Sequence, residues 1–192
     1  MIIIPIILII IVFYVLGTYN KLVSTRTRIK ASIQEIGNQL KRQADLIPNL
    51  VESVKGFMKH EKGIFEDLTN ARKVILDASG KNDAQSLVDA SSVFEKAFGR
   101  FQALVESTPE IKSAGTVTKL MDELRDTADK LMYSRRTLID LTADYNIMIV
   151  TFPNSLVAGL FKFKQEKGLE MPGEDNYTKV STEEIKTPKV SL

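Results

Sequence analysis

The chain has 192 residues, enough for one domain and whatever lies outside it, and it carries a net charge of only +2. With no cysteine and a single histidine, His60, it has no disulfides, no cysteine-ligated zinc, no thiol nucleophile and almost no material for a catalytic triad. The 44% hydrophobic content is unevenly spread, because residues 1–16 contain no charge at all, which leaves the remainder more polar than the average.

Residues 1–19, MIIIPIILIIIVFYVLGTY, are long enough as a helix to cross a hydrocarbon layer about 30 Å thick. Pro5 falls near the start, where a missing N–H does least harm, and Tyr14 and Tyr19 lie toward the far end, Tyr19 at headgroup depth. A cleavable signal peptide would need a basic stretch before the apolar run and a small-x-small site after it, and neither is present. The segment is therefore expected to be a single-pass anchor in the cell membrane. Lys21, Arg26, Arg28 and Lys30 follow it without an acid among them, which by the positive-inside bias places the N-terminus outside and the rest in the cytoplasm. The same four charges suit an anionic inner leaflet, and equally a solvated helix face.

Residues 20–163 read as an all-α domain. Ile29, Ile33, Ile36 and Leu40 form one helical stripe; a second runs from Leu46 through Leu50, Val54 and Phe57 to Ile64, Leu68 and Ile75. A third comprises Leu87, Phe94, Phe98, Phe101 and Val105, and a fourth runs from Val117 to Phe152. Gly80 serves as a helix stop, Asp83 as a cap, Thr108-Pro109 as the opening of a short turn and Gly115-Thr116 as the start of the last helix. The short links predict an antiparallel four-helix bundle. A break is expected near residue 45, with Asp45 as N-cap and Pro48 in the first turn of the next helix, since mid-helix a proline costs about 3 kcal/mol. Against it, the first stripe continues in heptad phase through Ile47, Leu50 and Val54. Residues 164–192 are polar, with no apolar period, and read as a disordered tail.

Little here points to chemistry. His60-Glu61 opens like a metalloprotease helix, but position 64, where a second histidine would complete the zinc face, is Ile64. A di-iron bundle would need two histidines. No metal or other cofactor is expected. Gly56 and Gly63 read as small residues at close helix contacts. Lys96 and Arg100 fall opposite Phe94, Phe98 and Phe101, so those rings belong to a core and nucleic-acid binding is not expected. Arg135 and Arg136 could clamp an anion, or pair with acids on a neighbouring helix while their stems cover the core; the pairing is the simpler reading. Tyr145 reads as a core ring with its hydroxyl bonded at the bundle end, beside Asn146.

Residues 41–61, KRQADLIPNLVESVKGFMKHE, resemble the LemA family, with its Asp-Leu-Ile-Pro-Asn-Leu-Val run and later His-Glu. The match includes Asp45, Pro48, Asn49, His60 and Glu61, then Ala71-Arg72, Arg135-Arg136, Tyr145-Asn146 and Phe152-Pro153 in the family's order. Gln43 departs from it, standing where a second arginine is usual. The resemblance implies a bacterial, single-span membrane protein with a helical bundle and lends no molecular activity. Together these readings predict a non-enzymatic adaptor or envelope-associated scaffold. Its partners would be the lipid bilayer and an unidentified protein, and the sequence leaves its oligomeric state open. Two alternatives are an accessory subunit of a membrane protease or transporter, and an enzyme using Arg135 and Arg136 on a phosphate or lipid headgroup.

Overall fold

A computed structural model describes residues 3–56, 62–81 and 83–169. Every regular element among them is a helix: α1 (Ile3–Val54), α2 (Lys62–Ser79), α3 (Ala84–Ser107), α4 (Pro109–Lys112), α5 (Gly115–Val150) and α6 (Asn154–Leu160). The expected break near residue 45 does not occur. The anchor and the first bundle helix are one continuous helix of 52 residues, about 78 Å long at 1.5 Å per residue.

Pro48 lies inside α1 and Asp45 is exposed in mid-helix, so Asp45 begins nothing. The heptad phase prevailed because Leu22, Ile29, Ile36, Leu40, Ile47, Leu50 and Val54 are all buried along one seam, and breaking the helix would uncover its upper half. The second stripe is thereby divided: residues 46–54 complete α1, and Leu68, Ala71 and Ile75 form the buried face of α2. Gly56 sits in the turn after α1 and Gly63 in the first turn of α2, and a Cβ at either would meet open space. They are not close helix contacts, since both lie at helix ends rather than across a packed face.

Boundaries elsewhere have visible causes. The Asp83 carboxylate accepts from the N–H and the hydroxyl of Ser86, both at 2.8 Å, and opens α3. These bonds hold its pKa below the ordinary 3.8. Pro109 is the first residue of α4, where its missing N–H is harmless, and Thr108 precedes it in extended conformation without a side-chain cap. At the end of α6, Phe163 N–H bonds to Ala158 O at 2.9 Å and Lys162 N–H to Gly159 O at 3.2 Å. This is the paired bonding of a Schellman turn, with Lys162 at φ 56 in the position that usually falls to glycine.

The long helices alternate in direction. Arg72 reaches Ala44, Asp67 pairs with Arg100 at 2.7 Å, and Arg42 lies 3.9 Å from Glu123, so α2 returns along α1, α3 along α2 and α5 along α1. Phe94 and Phe98 stack at 5.4 Å inside the bundle. Arg135 closes the fourth side by reaching from α5 to Val88 O and Glu95 on α3. Because α2 ends beside Gly37, the bundle has four helices only in its upper part. Below that, α1 and α5 continue as a two-helix stalk toward the apolar end of α1, joined there by α6 and residues 161–169.

Candidate interaction surface

Two exposed regions are built into the stalk. The first is an open groove of about 690 Å³ between α1 and α5. Ala31 and Ser32 on α1 face Ser134 and Thr137 on α5, and their small side chains leave the trough. Ser134 is satisfied within its own helix by a 2.8 Å bond to Lys130 O, so it makes no demand on a partner. Arg28, Glu35, Asp129 and Lys130 rim the groove with both signs of charge, and Tyr133, 73% exposed, stands at its edge. Met132 beside it is exposed as well.

The second region is the lower end. Tyr14 Oη donates to Asn154 Oδ1 at 2.6 Å, and the Tyr19 ring lies 4.7 Å from Phe161 and 5.7 Å from Phe163. Residues 164–169, which composition assigns to the polar tail, run back up the stalk. Asn146 donates to Glu166 O and accepts from Glu166 N–H, both at 2.9 Å, while Arg26 Nε donates to Glu166 Oε1 at 2.6 Å. That bond and charge raise the Arg26 pKa further. Residues 170–192 lie outside the described part.

The residues singled out in the sequence are dispersed. Of the basic four, Lys21 and Lys30 are exposed, Arg26 is engaged by Glu166, and Arg28 rims the groove. Asp45, Pro48 and Asn49 are exposed on the upper part of α1, with Arg72 of α2 bonding to Ala44 nearby. Arg135 lies 3.2 Å from Glu95, the pairing with a neighbouring helix's acid that the sequence suggested. Arg136 points to solvent, 4.0 Å from Asp140 one turn on, so the two arginines diverge. Tyr145 is fully buried as a core ring, but its hydroxyl has no hydrogen-bond partner among the described residues, and burial raises its pKa. His60 and Glu61 lie outside the described residues. Sequence reasoning missed Glu166, Tyr133 and Asn154. Of these, only Asn154 carried a signal, as an amide in an uncharged, largely apolar stretch next to Phe152-Pro153.

The LemA family model matches residues 32–183, most of the chain. The chain belongs to the LemA family. It is 26% identical over 170 residues to a curated relative, the magnetosome protein MamQ of Magnetospirillum gryphiswaldense, covering 77% of this chain. The aligned region spans 62% of that relative's length. Family membership and the apolar N-terminal part of α1 together describe a membrane-associated LemA protein.

Proposed function

We propose that this LemA-family chain is a non-catalytic, single-pass scaffold that holds a helical bundle at a fixed height above the inner leaflet and presents the α1–α5 groove to a protein partner. The observation that carries the reading is the groove: an apolar trough with mixed charge at its rim and an exposed tyrosine at its edge, features of a protein-docking surface. The unbroken α1 supports it, since a rigid rod between membrane and bundle fixes where the groove sits. The divergence of Arg135 and Arg136 weighs against a two-arginine anion site. The relative's name ties it to a magnetosome and names no reaction, which suits an assembly role.

A photo-crosslinking amino acid placed at Tyr133 in cells tests this, with the same residue at exposed Lys96 on α3 as the control. A discrete adduct from position 133 that is missing from position 96 supports the docking groove. If that adduct is one dominant species co-purifying at fixed stoichiometry, the groove still holds a partner but the chain is an accessory subunit of its complex rather than a scaffold; equal, diffuse labelling from both positions would refute a groove-specific partner. Orientation is tested with Lys96→Cys, the only thiol in such a chain, and a membrane-impermeant reagent. Protection in intact cells fits the cytoplasmic bundle; labelling would place it outside.

A further inference from the structure

We propose that the α5–α6 turn and the outer face of α6 form a second membrane element, a monotopic wedge that enters the same leaflet from which α1 emerges and rests among the lipid glycerol groups and upper acyl chains. This rests on reading residues 3–19 as the membrane span.

The depth follows from contacts to α1. Phe161, just past the end of α6, lies against Tyr19, the ring at headgroup level, while Asn154 at its start bonds to Tyr14. Five residues of α1 separate those levels, about 7.5 Å of helix rise. The start of α6 therefore lies that much deeper than the headgroups, within the 5–10 Å depth at which interfacial helices bury their apolar faces. At that depth water is scarce, and Asn154 supplies the partner that the Tyr14 hydroxyl needs.

The surface chemistry agrees. Residues 145–161, YNIMIVTFPNSLVAGLF, contain no charged side chain, the longest such run beyond the anchor. Phe152 is 76% exposed, Leu160 71% and Leu156 66%, a concentration of bare apolar side chains that water-facing surfaces seldom carry. The patch adjoins the uncovered apolar side chains of the span itself, so one continuous apolar surface runs from α1 onto α6. Exposed Lys21 and Lys162 stand just above it, where cations meet lipid phosphates. Such a wedge would stop the stalk from rotating about the span and fix the direction in which the groove faces.

The chain has no tryptophan, so a single introduced one reports its own surroundings. Leu156→Trp, and separately Leu160→Trp, would be made in the full chain and reconstituted into phosphatidylcholine–phosphatidylglycerol vesicles without bromine, with lipids brominated near the top of the acyl chains for positions 156 and 160, and with lipids brominated near mid-chain for a reference in the span. Ile9→Trp in the span and Tyr133→Trp at the groove serve as references, with helical circular dichroism confirming each fold. The wedge predicts that position 156 or 160 emits at short wavelength and is quenched by the upper-chain brominated lipid as strongly as position 9 is by the mid-chain one, while position 133 is not. Quenching of positions 156 and 160 no greater than at 133, with position 9 quenched, overturns the wedge and leaves the anchor intact. Short-wavelength emission at 156 and 160 without lipid quenching assigns the patch to a protein contact and also overturns it. Failure of position 9 to be quenched removes the span, and the wedge with it.

Discussion

Arg72 Nε donates a 3.1 Å hydrogen bond to the carbonyl of Ala44, the residue four positions before Pro48. In an unbroken helix that carbonyl would accept from the N–H of residue 48, and proline has none. An arginine from α2 thus supplies the donor that the proline withholds. The two residues are separated by 24 positions in the sequence and are parts of one device: it lets α1 pass through Pro48 without leaving a buried carbonyl unbonded.

Arg72 and Pro48 should accordingly be coupled. Arg72→Met keeps the packing of the stem and removes the donor, and should cost about 1.5–3 kcal/mol in urea unfolding of the detergent-solubilised chain. In a Pro48→Ala background, residue 48 supplies its own N–H and the same change should cost well under 1 kcal/mol. Equal costs in the two backgrounds would show that Arg72 acts independently of the proline.

The bundle was legible in the sequence because burial follows the heptad: the seam of α1 at Leu22, Ile29 and Ile36 and that of α5 at Leu124, Leu131 and Leu138 can be read from spacing alone. Asp83 and Pro109 were legible because caps act over three or four residues. The helix break near residue 45 was misjudged for the opposite reason, since the donor that rescues Pro48 comes from Arg72, a partner no local rule supplies. Glu166 was invisible on the same grounds. Composition assigns it to solvent, and only the fold brings Arg26 and Asn146 to it. Arg135 was easier, because a cation on an apolar helix flank needs an acid and α3 offers Glu95.

Gln43 occupies a heptad core position between Ile36 and Leu50, is 1% exposed, and neither end of its amide has a hydrogen-bond partner among the described residues. An unsatisfied buried amide is unfavourable, so Gln43→Leu should raise stability by about 1–2 kcal/mol. A polar group on a seam can also enforce register, and the gain should come with unchanged pairing, read from cross-linking of cysteines placed at positions 42 and 123 by a flexible bismaleimide that spans two long side chains. A loss of stability would mean that the amide is bonded in the working protein.

The Asp83 cap ties the start of α3 to pH. Its pKa is lowered in the fold, so its contribution is present above the ordinary value of 3.8 and disappears as pH falls through the folded value. Asp83→Ala should cost about 1 kcal/mol at neutral pH. Asp83→Asn retains a capping oxygen without the charge, so the difference between wild type and Asp83→Asn should shrink toward zero as acid is added below pH 3.8. A gap that stays constant through the acid range would remove the carboxylate from the account.

The return of residues 164–169 along the stalk depends more on Asn146 than on Arg26. Asn146 makes two backbone bonds to Glu166 in a half-buried setting, each worth about 1 kcal/mol. The Arg26–Glu166 pair is short, but its side chains are 47% and 29% exposed, and solvent holds such pairs to about 0–1 kcal/mol. Asn146→Ala should therefore raise the rate of tryptic cleavage after Lys164 by about tenfold or more, and Arg26→Gln by no more than about fivefold. Salt should separate them further: added sodium chloride should speed cleavage of the wild type and of Asn146→Ala slightly and leave Arg26→Gln largely unaffected, since that variant lacks the pair that salt screens. If Arg26→Gln released the segment more than Asn146→Ala, the segment would be held by charge, and the backbone clasp by Asn146 would be secondary.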